Sequence, residues 1–302
     1  MPRFWKVPTL EVVPSAGDIL GYRAPGGQVA FFLTHFRTQS TPTSPFEKQA
    51  SLDPVPNGSD GSAVSWSGDG KIVAFSGYVG KIWLYEYPSG KLLKSFDNSI
   101  KYGLPIALSP DAKMIIAVGS EEIGLYRTEN GELIKKVASK NGPYDLGLAY
   151  SPDGQFLAMG TTRGFVQIWK SDLSAVVHEF RAHAAGVRSL LWSHDGRLLV
   201  TGSHNNSGHG DFLIDDLARD PTIRFWNPLS GESLGTILVH RFNDHLAVTP
   251  AGHYRIAPME FERDLVYIVQ TAEGQLTLTP GEFEQRFGWK NDPETVRLDR
   301  QP

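Results

Sequence analysis

The chain has 302 residues, 40 % of them hydrophobic, and 29 Lys and Arg against 33 Asp and Glu give a formal net charge of −4. That balance provides no basic footprint for nucleic acid, and no run approaches the roughly 20 apolar residues that a membrane-crossing helix needs. There is no cysteine, which excludes disulfides and thiolate metal sites, and 31 Gly with 20 Pro fit a turn-rich all-β chain. The N-terminus has no apolar core of signal-peptide length, so a cytoplasmic location is expected.

The first strand candidates are Arg3-Phe4-Trp5-Lys6 and Thr9-Leu10-Glu11-Val12-Val13. A turn at Ala24-Pro25-Gly26-Gly27 then separates two apolar runs within Gly21–Phe32. Residues 39–61, rich in Pro, Ser, Thr and Gly, read as a long surface loop. From there one pattern repeats. Four-residue turns stand at Ser67-Gly68-Asp69-Gly70, Ser109-Pro110-Asp111-Ala112, Ser151-Pro152-Asp153-Gly154 and Ser193-His194-Asp195-Gly196, each 42 residues from the last, with Thr249-Pro250-Ala251-Gly252 a longer step beyond. Pro presets φ, Asp bonds its own backbone and Gly accepts φ > 0, so these are tight turns between apolar runs.

The runs that follow the turns, such as Ile72-Val73-Ala74-Phe75 and Met114-Ile115-Ile116-Ala117-Val118, are apolar on both faces, as strands buried between sheets require. A third run ends in an aromatic at nearly constant distance (Tyr85, Tyr126, Trp169, Tyr267), and a turn with a more polar fourth strand follows, as in Ser89–Phe96 and Asn130–Val137. Four strands in a period of 40–45 residues are the unit of a β-propeller blade. Arg3–Lys6 matches the third-strand ending Arg224-Phe225-Trp226-Asn227. Residues 1–60 therefore read as a half-blade plus a degenerate blade, 61–279 as five repeats, and the ring as six or seven blades. Closure by strands from both termini in one sheet would leave no open edge. Thr279-Pro280-Gly281-Glu282 is a capping box with Pro at the first helical position, so 280–302 is expected as a tail with a short helix stopping at Gly288.

His183, Val187, Leu190, Trp192-Ser193, Asp195-Gly196, Leu199 and Thr201-Gly202-Ser203, with Asp220 and Thr222-Ile223-Arg224-Phe225-Trp226-Asn227 further on, resemble a WD40 repeat. The resemblance spans about residues 60–275 and is fullest in this repeat. It implies an all-β propeller and a buried hydrogen-bond network of Trp226, Ser203, His183 and Asp220, in which indole donor, hydroxyl, imidazole and carboxylate are linked. Earlier repeats lack parts of this set. The tail is similar to closing segments of bacterial WD-repeat proteins, and Val64–Ser76 is similar to repeats of TolB-type periplasmic propellers.

The sequence has no GxSxG, HExxH, GxxxxGK[ST] or helix-opening GxGxxG motif, so no enzyme, cofactor or metal site is expected. The pairs His178/His183 and His240/His245 are five apart, which in a strand points the rings to opposite faces. About fifteen residues are inserted in the fourth repeat, between Ser203 and Asp220. Asp211 is expected to cap a short helix over 212–219 with Leu213, Ile214 and Leu217 on one stripe, and His204, His209 and Phe212 complete the candidate partner-binding loop. That loop either docks a partner or packs on its own propeller; a calcium site from Asp211, Asp215, Asp216 and Asp220 lacks the spacing of a calcium loop. The expected function is a non-enzymatic scaffold presenting one face to another protein or peptide, without nucleic acid or membrane. The alternatives are an enzyme or ligand-binding propeller using the central channel, or a TolB-like propeller.

Overall fold

The computed structural model describes the main chain of residues 3–6, 11–14, 19–23 and 30–34, and then residues 61–77, 80–87, 89–100, 105–119, 121–139, 147–203, 222–240, 244–257, 265–271 and 274–296. The fold is all-β, with four-stranded antiparallel sheets as its recurrent unit. β1 (Arg3–Lys6) pairs with β2 (Glu11–Pro14), and β3 (Ile19–Arg23) with β4 (Ala30–Thr34), as separate two-stranded sheets. β5 (Gly61–Trp66), β6 (Ile72–Gly77), β7 (Lys81–Glu86) and β8 (Leu92–Asp97) make the first four-stranded sheet. β9 (Ile106–Leu108), β10 (Met114–Val118), β11 (Glu122–Arg127) and β12 (Leu133–Ala138) make the second. β13 (Leu148–Tyr150), β14 (Phe156–Gly160), β15 (Phe165–Lys170) and β16 (Val176–Arg181) make the third. β17 (Val187–Trp192), β18 (Leu199–Ser203), β19 (Thr222–Trp226) and β20 (Ser233–His240) continue through β21 (Asp244–Val248) and β22 (Tyr254–Ala257) as a six-stranded sheet. β23 (Tyr267–Thr271) and β24 (Gly274–Leu278) form a last pair, before helix α1 (Pro280–Phe287) and a 3-10 turn at Pro293–Thr295.

The repeated turns share one hydrogen-bond design. Ser67, Ser109, Ser151 and Ser193 each donate from Oγ to the Asp two residues on, at 2.7, 2.7, 2.6 and 2.5 Å. The same Oγ accepts the main-chain N–H of Ile72, Met114, Phe156 or Leu198, at 2.9–3.0 Å. Asp Oδ1 in turn accepts the N–H of Lys71, Lys113, Gln155 or Arg197. The fourth position needs a left-handed backbone, which Gly70, Gly154 and Gly196 supply at φ 69–72° and Ala112 adopts at 58°. Hydrogen bonds to the ionised form hold the carboxyls of Asp69, Asp111 and Asp195 below the usual carboxylate range; the main-chain N–H of Lys71 leads at Asp69, and the Ser hydroxyl leads at Asp111 and Asp195.

The chain divides into two compact units, Met1–Met159 with Trp169–Val177, and Gly160–Ile168 with His178–Pro302. In the first, strand alternation feeds two cores at once. Ile115 and Ala117 of β10 join Ala74, Ile82, Leu84, Ile100 and Tyr126 on one face, while Ile116 and Val118 join Ile123, Leu157, Met159 and Leu173 on the other. That is why the strands after the turns are apolar on both faces. The fourth strands are half wet: β8, β12 and β16 alternate between partly buried and exposed residues.

A second device recurs where one repeat meets the next. The turn from strand three to strand four has a left-handed residue, and the preceding repeat's fourth strand lies against it. At Gly131 (φ 73°) a Cβ would come 2.6 Å from Phe96 Cβ, and at Gly231 (φ 69°) one would come 3.1 Å from Phe180 Cβ. At the same place in the third repeat stands Leu173 (φ 56°), in the core where Val137 packs. A smaller neighbour leaves room for a side chain.

The last repeat departs from expectation. It does not form a separate four-stranded sheet among the described residues. Only residues 241–243 separate β20 from β21, too few to step to a new sheet, so the two strands pair as a hairpin with His240 opposite Asp244. Among the described residues β1–β2 and β23–β24 are each two-stranded sheets. The capping box at Thr279 is formed: its side chain accepts from Glu282 N, Glu282 bonds back to Thr279 N at 2.8 Å, and Gly288 ends α1 in a left-handed conformation.

Candidate functional site

The richest polar cluster lies in the second unit, where the WD-like repeat has its buried groups. His183 is 1 % exposed on the link from β16 to β17, and its main-chain N–H donates to Gly164 O at 2.9 Å. Gly164 is required there: at φ 82° it has the backbone of a turn, and a Cβ would sit 2.1 Å from His183 O. His183 Nε2 lies 2.8 Å from Thr201 Oγ1, and Trp226 Nε1 donates to the same oxygen at 2.9 Å. Thr222 Oγ1 is 3.4 Å from His183 Nδ1, and Arg224 bridges Thr222 Oγ1 and Ala182 O at 3.0 and 2.9 Å. The indole of Trp226 also packs on Phe180, with ring centroids 5.0 Å apart.

The hydroxyl at the centre is therefore Thr201, not Ser203. The register explains the shift. Trp226 pairs directly with Leu199 and Thr201 with Arg224, so Thr201 is the diagonal neighbour an aromatic side chain can reach, whereas Ser203 is one step too far. Ser203 Oγ is buried and has no hydrogen-bond partner among the described residues. Asp220 lies outside the described residues, as do His204, His209, Phe212, Leu213, Ile214 and Leu217 of the inserted loop.

The second repeat solves the same problem with other residues. Ala117 holds the place of Thr201, and Ser99 the place of His183, two residues past its fourth strand. There Tyr126 OH donates to Asn98 Oδ1 at 2.9 Å and lies 2.9 Å from Ser99 Oγ. Gly124 clears the way for this ring, since a Cβ would come 2.7 Å from Tyr126 Cε2. The longer reach of the phenol replaces a bridging hydroxyl. The sequence signal for this chain was faint, because no residue type is shared with the WD-like repeat.

These groups bond one another, and their chemistry is mechanical: they fasten strands two and three to the preceding loop. Among the described residues no three His, Asp or Glu side chains cluster as metal ligands. Burial pushes the Tyr150 hydroxyl well above its usual range, which keeps it neutral.

Comparison with known proteins agrees with this anatomy. Residues 106–192 match the family model described as the anaphase-promoting complex subunit 4 WD40 domain, and residues 174–227 match that of the WD domain, G-beta repeat. Among curated proteins, a WD repeat-containing protein SL1-17 from Schistosoma mansoni is 34 % identical over 143 residues, 47 % of this chain and 46 % of that one. The anaphase-promoting complex subunit cdc20 of Dictyostelium discoideum is 25 % identical over 182 residues, 58 % of this chain and 33 % of that one. The chain thus spans less than half the length of these relatives. A solved structure entitled Crystal Structure of Mitotic Checkpoint Complex superposes with a TM-score of 0.48 at 19 % identity, over 74 % of this chain and 65 % of that one. Both relatives are eukaryotic, which gives no support to a bacterial type of tail. These matches place WD40-type repeats within residues 106–227, on an all-β fold of the WD40 propeller class.

Proposed function

We propose that this protein is a non-enzymatic scaffold that offers a rigid all-β body and its connecting loops to another protein. The observation that carries this reading is the use made of His183, Thr201 and Arg224. These side chains, which could support catalysis elsewhere, are engaged within the same unit: His183 with Thr201, and Arg224 with Thr222 and the main-chain oxygen of Ala182. A body fastened in this way is suited to hold loops in place for recognition. The name of one relative, an anaphase-promoting complex subunit, supports a role in protein association. The inserted segment 204–219 is the first candidate for the contact, through Phe212, Leu213, Ile214 and Leu217.

Affinity capture from a native lysate with mass spectrometry, comparing the intact chain with one lacking 204–219, tests this. Partners lost with the segment, while thermal stability is kept, support docking there. Retention of every partner would move the site to other loops, and capture of no specific protein by either form would overturn the scaffold reading.

A further inference from the structure

In the regular repeats, strand two pairs with strand three through a fixed couple: Val73 with Tyr85, Ile115 with Tyr126, Leu199 with Trp226. The first member is the sixth residue after the turn's Ser, and the second is the aromatic that ends strand three. The fifth turn is one residue tighter, because Thr249 N donates to His253 O. The equivalent couple is therefore Tyr254 on β22 and Tyr267 on β23. Their rings are near, with centroids 6.4 Å apart. Yet among the described residues β22 stands at the end of its sheet's strand order, and β23 is placed with β24 in a separate two-stranded sheet.

What meets the main chain of Tyr254 is the side chain of Asn291. Tyr254 N donates to Asn291 Oδ1 at 2.8 Å, and Asn291 Nδ2 donates to Tyr254 O at 3.0 Å. These are the two bonds that a residue of a neighbouring antiparallel strand would make. The rest of the tail is fastened around them. Asp292 N donates to His253 Nδ1 at 3.0 Å, Arg255 donates to Pro293 O at 3.0 Å, and Trp289 stacks on His253 with centroids 4.9 Å apart. Trp289 also meets Tyr267 edge-on at 5.5 Å.

We propose that Asn291 is a stand-in for strand three, and that the last repeat is a two-state element. In one state the tail occupies the edge of β22. In the other, β23 pairs with β22 at Tyr254 and Tyr267, and β24 follows as the outer strand. The two exclude each other, because Tyr254 has one N–H to give; whatever binds the tail or the β23–β24 hairpin shifts the balance.

The chain lacks cysteine, so a designed pair reports cleanly. In the second state's register, Ile256→Cys and Leu265→Cys stand directly opposite each other. With this pair in the full chain, Asn291→Ala should raise the rate of disulfide formation roughly tenfold over the Asn291 background, as the loss of two hydrogen bonds implies. Asn291→Asp, which keeps the acceptor and loses the donor, should fall between, and it serves if the Ala variant loses its far-UV spectrum. Equal rates in all backgrounds would overturn the proposal. So would release of the tail, seen as faster amide exchange at 289–292, without any gain in cross-linking.

Discussion

Replacing Thr201 by Val removes one oxygen and almost no volume. That oxygen accepts from Trp226 Nε1 at 2.9 Å and lies 2.8 Å from His183 Nε2. Trp226 is 6 % exposed and His183 1 % exposed, so neither finds water in compensation. Each buried polar group left without a partner costs about 1–3 kcal/mol. With two groups affected, Thr201→Val should destabilise the second unit by roughly 2–5 kcal/mol. Ser203→Ala is the matched control, since Ser203 Oγ has no partner among the described residues; it should change stability by no more than about 0.5 kcal/mol. Urea unfolding followed by near-ultraviolet circular dichroism, together with amide exchange over 199–226, would measure both. If Ser203→Ala proves the more damaging, or Thr201→Val matches wild type, the chain centred on Thr201 is not the fastening.

Gly131→Leu should be strongly destabilising against Phe96, and Phe96→Val should recover part of the loss. The natural Leu173/Val137 pair is the precedent, and a double-mutant cycle should show a coupling of about 0.5–3 kcal/mol. Acid should also weaken the turns. The carboxyls of Asp69, Asp111 and Asp195 are held low in the folded chain, so their contribution is complete above the unfolded value of about 3.9 and is lost as pH falls through the folded values. Replacing all three by Asn should flatten a stability profile measured from pH 6 to pH 2; an unchanged slope would refute the assignment. Thr279→Ala should remove the capping box and cost α1 about 0.5–2 kcal/mol, read as faster amide exchange at 282–284.

What the sequence alone determined is local and periodic. The turns at Ser67, Ser109, Ser151 and Ser193 need only residues within five positions of each other, so their recurrence reveals strands one and two of each repeat, and the cap at Thr279 is legible for the same reason. What only the tertiary structure decided is everything that depends on neighbours across a ladder or between repeats. Sequence spacing could not tell Thr201 from Ser203, because both side chains share one face of β18 and the register against Trp226 separates them. Tyr126 bonding Asn98 and Ser99 was hidden for a related reason: a longer side chain reaches a group that Trp226 meets through a hydroxyl. Nor could the periodic pattern show that the short link 241–243 folds β21 back onto β20, or that Asn291 takes the edge of β22. A period records how often a unit was copied; pairing is settled by which free N–H and C=O groups come within reach once the copies are stacked.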